Sequence, residues 1–383
     1  MRANVLNDPA LVKHAGRFAW LSIDTEKAQN QHFLEKFPVN SWPTFFFVDP
    51  STEKAALRWE GSLDVPQLEK LLDDGELAVR SSGDNTIEAA LALADRAYGE
   101  GRASDAAALY RKALQTFAPE WSRRPRTVSS LLAALRGADA FKECAEEALK
   151  YVQSVARSAE SASIAADGLQ CAFKAPTEGI RRRDLIVGLE SAIRESLTIA
   201  DLTADDRGGL YEVLVEAAKI EGDKVRAKEL APEWLVFEEA QAANARTPEQ
   251  RAAFDPYRVE AAIELGEPER AIPALQASER DFPHDYNPPL RLANIYTHLG
   301  KYDEALKAAE RANSKAYGPR KLLVYQTKGN IYLKKGERQK AQRVLEEGLK
   351  FAQSLPKSQR PEKRIAQLQS LLNQARGASA QAN

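Results

Sequence analysis

The sequence predicts a mainly α fold, in which a helical repeat solenoid is preceded by a small, partial α/β domain. Up to about residue 80, short apolar runs alternate with helical patterns, and beyond it the apolar spacing is helical almost to the end. A glycine-and-alanine pattern recurs in the C-terminal half, which indicates internal repeats. The predicted divisions are 1–80 for the α/β part, 81–85 for a polar linker, 86–376 for the repeats and 377–383 for a disordered tail.

Composition excludes several classes of function. The 383 residues carry 54 basic and 55 acidic side chains, a net charge of −1, so no overall positive field attracts nucleic acid or an anionic membrane. No apolar run approaches the roughly 20 residues of a membrane-spanning helix. Four histidines without neighbouring cysteines give no zinc-binding spacing, and we predict no metal, cofactor, nucleic-acid or membrane partner. Cys144 and Cys171 lie in helical contexts and are interpreted as buried structural thiols.

The first part divides into six short elements. Asp8 followed by Pro9 is typical of a helix start, and Gly16 is typical of its end. The run TFFFV over 44–48 is apolar, which predicts a strand covered on both faces. The other predicted elements are a strand over 18–24, a helix over 28–37, a strand over 55–61 and a closing amphipathic helix over 64–72.

This order of elements, with SWPTFFFVD ahead of the strand pair, resembles the C-terminal part of a thioredoxin domain. The residues that carry the resemblance are Asp24, Val39, Pro43, Thr44 and Gly61. In thioredoxin-like proteins the proline at this place is cis, and its neighbouring backbone receives an extended substrate. The resemblance therefore implies a cis bond before Pro43 and substrate binding at Trp42, Pro43 and Thr44. The alternative is a trans proline that merely starts the strand.

The chain lacks the other half of such a domain. A thioredoxin domain begins with a strand that leads into Cys-x-x-Cys at a helix start, and neither precedes this segment. The missing strand belongs between 18–24 and 44–48, and its absence leaves two open strand edges. Two explanations remain, a start codon assigned too far downstream or a remnant that has lost its catalytic half. The N-terminal sequence has no signal-peptide pattern, so we expect a cytoplasmic protein. An upstream signal segment would instead make it periplasmic or secreted.

Three glycines mark the repeats. Gly266, Gly300 and Gly336 are spaced by 34 and 36 residues, and each precedes an alanine at the same offset, namely Ala271, Ala305 and Ala341. This spacing matches the tetratricopeptide period of about 34 residues, and the segments 290–312 and 325–349 resemble that repeat closely. Weaker copies occupy 93–114, 210–234 and 255–283. We predict degenerate repeats over 125–205 and a capping helix over 361–376.

The resemblance to tetratricopeptide repeats also implies a binding face. The concave side of such an array usually takes peptides through the first helix of each repeat. By position, the candidate groove residues are Asn294, Thr297 and His298 in one repeat, and Gln326, Asn330 and Lys334 in the next. Asparagine is also common at this place in the repeat consensus, where it need bind nothing. The expected partners are protein or peptide clients.

Together the two resemblances imply an interaction protein whose repeats hold clients for a thioredoxin-like domain. The complete form of such a protein exchanges thiols and disulfides. No catalytic residue is assigned here, because the chain holds no Cys-x-x-Cys, and it is a thiol–disulfide oxidoreductase only if an upstream segment supplies one. The alternative is a noncatalytic adaptor or scaffold with a redox-inactive thioredoxin-like domain.

Overall fold

A computed structural model of the chain describes residues 5–39, 41–80, 87–116, 118, 121–154, 157–176, 180–200 and 202–377. The predicted linker over 81–85 and, except for residue 377, the predicted tail lie outside these ranges. The chain forms two compact units. Unit 1 comprises Met1–Phe18 and Val39–Leu230, and unit 2 comprises Ala19–Pro38 and Ala231–Asn383.

Helices dominate the described residues, as the sequence predicts. Only the segment around 44–60 forms strands there. The elements in chain order are α1 (Gln31–Lys36), β1 (Thr44–Asp49), β2 (Lys54–Glu60), α2 (Val65–Arg80), α3 (Ile87–Gly99), α4 (Ala103–Thr116), α5 (Arg124–Gly137), α6 (Phe141–Val152), α7 (Ala159–Lys174), α8 (Ile180–Ser196), α9 (Ala204–Ile220), α10 (Lys224–Asn244), α11 (Pro248–Ala252), α12 (Asp255–Leu265), α13 (Ile272–Asp281), α14 (Asn287–His298), α15 (Tyr302–Lys315), α16 (Arg320–Lys334), α17 (Arg338–Ser354) and α18 (Glu362–Ala375).

Unit 1 begins with a small α/β layer. A 3₁₀ helix runs from Pro9 to His14, and the side chain of Asp8 caps it by accepting a hydrogen bond from the Ala10 amide at 2.8 Å. The strands β1 and β2 pair antiparallel, so both predicted strands of this hairpin are confirmed. The prediction that 44–48 is covered on both faces is wrong, because only Phe47 of β1 is buried and β2 is its sole strand partner among the described residues. The helix α2 runs to Arg80, eight residues beyond its predicted end at 72.

The α/β layer shares its core with the first repeat helix. Phe47 of β1 packs edge to face on Phe18, with ring centroids 5.7 Å apart. A Cβ at Gly99 of α3 would lie 2.8 Å from the Cβ of Ala55 in β2, so this strand and helix need a glycine to approach so closely. The buried core residues are Val5, Phe47, Ala56, Leu57, Leu63, Leu68, Leu71, Leu72, Ala78 and Ala92.

The strand predicted over 18–24 is wrong. No strand occurs over these residues, and within the described chain β1 pairs with β2 alone. Residues 19–38 belong to unit 2, where the side chain of Asp24 accepts a hydrogen bond from Tyr317. The end of this segment is therefore hydrogen-bonded to Tyr317, between α15 and α16, and not to a neighbouring strand. The helix predicted over 28–37 is confirmed as a 3₁₀ turn, Ala28–Asn30, followed by α1.

The repeat register predicted from the glycines is confirmed. Gly266, Gly300 and Gly336 lie at turns between helices and have φ values of 87°, 69° and 82°, in the left-handed region where glycine is least strained. The three alanines at the matching offset, Ala271, Ala305 and Ala341, are all buried. The same turn recurs at Gly101 and Gly222 in the weaker copies. Helices continue through 125–205, and α18 packs on α16 and α17 as the predicted capping helix.

Ion pairs join helices of successive repeats within each unit. The paired residues are 30 to 32 positions apart, close to one repeat period. Each pair therefore joins surfaces that stacking brings together, which supports a continuous array in each unit. The pairs are Arg111 with Glu143, Arg136 with Asp167, Arg270 with Glu239, Arg311 with Glu279, Lys335 with Asp303 and Arg376 with Glu346.

The two cysteines form a disulfide between neighbouring helices. Cys144 lies on α6 and Cys171 on α7, with Cα atoms 5.9 Å apart. Both are completely buried, as predicted, but their interpretation as thiols is wrong. The close packing of α6 on α7 brings together residues that lie 27 positions apart in the sequence, which spacing alone does not reveal. Among the described helices, none is both long and apolar enough to cross a bilayer.

Candidate functional site

A cavity of about 410 Å³ lies among α14, α16 and α18 in unit 2. Its wall combines side-chain amides and hydroxyls with two leucines. It brings together three of the six predicted groove residues, Asn294, Gln326 and Asn330. The full lining is Asn294, Leu323, Gln326, Thr327, Asn330, Gln367, Ser370 and Leu371.

The repeat geometry explains why the two asparagines meet in this cavity. Each lies six residues before its turn glycine, at Gly300 and Gly336, so Asn294 and Asn330 occupy equivalent positions on α14 and α16. Neither side-chain amide makes a hydrogen bond to another residue of the described chain. Each amide group therefore keeps a carbonyl acceptor and two N–H donors for a ligand.

Arg364 orients the two glutamines of the cavity. Its Nη1 donates hydrogen bonds to Oε1 of Gln326 at 2.6 Å and to Oε1 of Gln367 at 3.0 Å. Because both amide oxygens are used, the Nε2 groups remain as donors on this part of the wall. The wall beside Arg364 is therefore suited to ligand acceptors, such as peptide carbonyl or carboxylate oxygens.

The charge of Arg364 has no acidic partner nearby. Among the described residues, no carboxylate lies within ion-pair distance of its guanidinium. Burial lowers the pKa of Arg364, which means that its charged form is partly desolvated. A half-buried cation held only by neutral amides favours a ligand that carries partial or full negative charge.

The other three predicted groove residues do not line the cavity. Thr297 is buried on α14, and its Oγ1 donates a hydrogen bond to the carbonyl of Ala293 at 2.6 Å. His298 and Lys334 are exposed at the ends of α14 and α16, outside the cavity wall. The hydroxyl of Thr297 is satisfied within its own helix, and His298 and Lys334 lie close to the C-terminal ends of α14 and α16, beyond the residues that line the cavity.

Three cavity residues lie on α18, which the sequence predicts only as a capping helix. Gln367, Ser370 and Leu371 of α18 complete the wall. Their spacing from Arg364, at three, six and seven residues, places all four side chains on one face of that helix. The sequence contained a signal for this face. A capping helix needs an apolar inner side, but it does not need the cluster of amide side chains that lies beside Arg364.

The structure places the predicted thioredoxin-like site on unit 1. The peptide bond between Trp42 and Pro43 is cis, so this prediction is confirmed. The ring of Trp42 is 65% exposed, and Thr44 donates a hydrogen bond from Oγ1 to the carbonyl of Ser41 at 2.7 Å. The carbonyl of Pro43 accepts a hydrogen bond from the Gly61 amide at 2.9 Å, which ties the start of β1 to the end of β2.

Comparison with known proteins addresses the helical part of the chain. The family model described as tetratricopeptide repeat matches residues 262–320. The chain is similar to a tetratricopeptide repeat protein from Parabacteroides merdae, with 12% identity and a TM-score of 0.47, over 76% of this chain and 98% of that one. It is also similar to the TPR2AB domain of yeast Sti1 in its pHSP90 complex, with 13% identity and a TM-score of 0.29, over 77% and 100% of the two chains. A search of curated proteins found no match.

The matched residues begin within α12 and end at the start of α16, and they include the turns at Gly266 and Gly300. Tetratricopeptide proteins bind protein or peptide partners. The amide-lined cavity lies where α14 and α16 present their open faces. Residues 262–320 therefore form tetratricopeptide repeats within a mainly helical chain.

Proposed function

We propose that the chain is a peptide-binding adaptor and that an extended peptide occupies the cavity among α14, α16 and α18. The observation that carries this proposal is the set of unpaired amides on equivalent repeat positions, Asn294 and Asn330. An extended backbone offers a donor and an acceptor at every residue, which is what a row of amides can bind.

The wall also supports a preference among peptides. Arg364 leaves the N–H groups of Gln326 and Gln367 as donors, and it adds a positive charge close by. The side chains of Leu323 and Leu371 supply apolar surface in the same cavity. The proposed ligand is therefore an extended peptide with one apolar side chain next to a carbonyl-rich or carboxylate-bearing position.

A peptide selection followed by affinity measurements tests the proposal. Peptides selected on the full chain from a random display library would be measured by fluorescence anisotropy against the wild type and N294A/N330A. Because each lost hydrogen bond is worth about 0.5–1.5 kcal/mol, the double variant should bind about tenfold or more weakly.

A matched control is N373A, which removes an exposed asparagine of α18 that does not line the cavity. It should bind the selected peptides like the wild type. Equal affinity of all three proteins for every selected peptide would show that the cavity is not the binding site.

Thiol–disulfide exchange on clients held by the repeats is a second candidate. The observation that favours it is the cis bond before Pro43, at the place where the thioredoxin-like resemblance puts the substrate. The two cysteine sulfurs of this chain do not support it, because both are buried in a disulfide.

An insulin-reduction assay with dithiothreitol regeneration separates the two candidates. We expect no turnover by this chain above that of the C144S/C171S variant, because a buried disulfide is inaccessible to a substrate thiol. Turnover that disappears in the double variant would favour exchange by the helical cysteines over the adaptor.

A further inference from the structure

We propose that the N-terminal end of α16, together with the 3₁₀ turn Lys357–Gln359, is a recognition site for an acidic peptide turn of the form Asp-x-Glu, and that the chain's own residues 24–27 occupy it in cis. The site is distinct from the amide-lined cavity, and the proposal does not depend on the proposed function. All of its groups belong to unit 2.

Two acidic side chains anchor the segment. Asp24 accepts a hydrogen bond from the hydroxyl of Tyr317, and Glu26 accepts one from Nε of Arg320. Nη2 of Arg320 also lies 3.6 Å from Oδ1 of Asp24, so a single guanidinium serves both carboxylates. Burial raises the pKa of Asp24, but hydrogen bonds from Tyr317 and the Glu26 amide and the charge of Arg320 outweigh it, and the net pKa lies below its usual value.

The backbone of the segment is recognised as well. Nε2 of Gln359 donates to the carbonyls of Thr25 at 2.9 Å and Lys27 at 2.8 Å. Gln359 is buried, with 5% exposure, and its single amide group hydrogen-bonds to two alternate carbonyls of the segment. The amide of Lys27 donates to the carbonyl of Asp24 at 3.3 Å, so the segment forms a turn, and Gln359 recognises its main chain whatever side chain lies between the two acids.

Gly318 makes room for that main chain. Its φ is +49°, and a Cβ built on it would lie 2.2 Å from the carbonyl oxygen of Glu26. No side chain fits at this position while the segment is bound. Gly318, the buried amide of Gln359 and the guanidinium of Arg320 thus converge on one four-residue segment. Glu26 lies 294 positions from Arg320 in the sequence, and Thr25 lies 334 positions from Gln359.

The polar nature of these anchors indicates that the occupant can be exchanged. Leu21, three residues before Asp24, is 81% exposed, whereas Leu34 and Phe37 beyond the turn are buried, so the exchange concerns residues 24–27 while α1 stays in place. A tethered segment competes at an effective concentration on the order of millimolar. A partner with the same Asp-x-Glu pattern would therefore bind the wild-type chain weakly until the segment is displaced.

A labelled peptide of residues 19–30 tests the site on the full chain. In D24K/E26K the positive side chains repel Arg320, so amides over 19–27 should exchange hydrogen faster while α14–α17 keep their protection. Fluorescence anisotropy should then show the peptide binding D24K/E26K about tenfold or more tightly than the wild type, because the tethered competitor is gone. Adding R320A/Q359A should abolish this binding, whereas adding N294A/N330A should leave it unchanged.

Peptide specificity and folding are checked in parallel. The D24N/E26Q form of the peptide should bind about tenfold or more weakly. If D24K/E26K loses protection across α14–α17, its repeats are unfolded and it cannot serve as the receptor. The D24N/E26Q chain then replaces it as the protein whose site is empty. The proposal is overturned if residues 19–27 stay protected in the vacated chain, if the peptide fails to bind it, or if R320A/Q359A binds the peptide equally well.

Discussion

Among the described residues of unit 1, Asp95 is the most buried carboxylate, with 2% exposure. It accepts hydrogen bonds from the hydroxyl of Tyr110 at 2.7 Å and from Nη2 of Arg126 at 2.8 Å. Burial raises the pKa of Asp95, and Arg126 partly opposes that effect. The three residues lie on α3, α4 and α5, so the network joins the first two helix pairs.

Removing one member of this network should be costly. D95A leaves the guanidinium of Arg126 with only the more distant carboxylate of Asp74, at 3.6 Å, and leaves the buried hydroxyl of Tyr110 without its acceptor. We expect a loss of about 3 kcal/mol in the free energy of unfolding. Urea denaturation at pH 7 measures it. The control is D105A, which removes an exposed partner of Arg102 and should cost much less. Similar losses for the two variants would mean that the buried network contributes no more than a surface pair.

Helices within a repeat cross closely because small residues line the crossing. Ala305 of α15 is completely buried, and on the next pair a Cβ at Gly329 would lie 2.5 Å from Cδ2 of Leu345. A305L should overpack this crossing and cost about 1–3 kcal/mol. Thermal unfolding of A305L and of K307L, at an exposed position of the same helix, measures the difference. An unchanged melting temperature for A305L would contradict the register.

Ion pairs between successive repeats should make stability depend on pH. Arg311 donates to both carboxylate oxygens of Glu279, at 2.8 and 3.0 Å, and this hydrogen bonding lowers the pKa of Glu279. A lowered folded-state pKa gives stability that is present above the unfolded pKa of about 4.3 and is lost as pH falls through the folded value.

The E279Q variant should therefore be less stable than the wild type at pH 7, and the difference should shrink as the pH is lowered below 4. Urea denaturation at several pH values follows the difference. E347Q, which removes an exposed carboxylate of α17 that makes no ion pair among the described residues, is the control for general acid effects. A constant difference between wild type and E279Q across this range would contradict the role of the ion pair.

The elements that could be predicted from sequence are those with local signals. The turn at Gly300 could be predicted because a glycine followed five residues later by an alanine recurs at one period. In the structure the glycine has a left-handed φ and the alanine is buried. The strand β1 was predicted from its apolar run. The strand expected over 18–24 was wrong because Asp24 is bonded to Tyr317, 293 residues away, and no local pattern encodes that partner.

The site was predictable to a similar degree. Asn294, Gln326 and Asn330 follow from the repeat register, since equivalent positions share an exposed face. Thr297 was misplaced because its hydroxyl bonds within its own helix. The part played by α18 was missed because the cavity requires three helices to stack, and the disulfide was missed for the same reason of tertiary packing.

At the scale of the whole molecule, each unit is a stack in which helices contact mainly their neighbours. Such arrays present extended surfaces, and their stability is close to a sum over repeats and interfaces. The central claim is that unit 2 uses one of these surfaces, the amide-lined cavity, to hold an extended peptide.

Site-directed crosslinking tests that claim most directly. Both native cysteines are buried in a disulfide, so an introduced cysteine is the single reactive thiol of each variant. S370C places this thiol at the cavity wall, and S314C places it at an exposed position of α15. A benzophenone attached at each position would be irradiated with a selected peptide, and the products identified by mass spectrometry. We expect a crosslink from position 370 that N294A/N330A suppresses, and none from position 314. Equal crosslinking from both positions, or none from position 370, would contradict the claim.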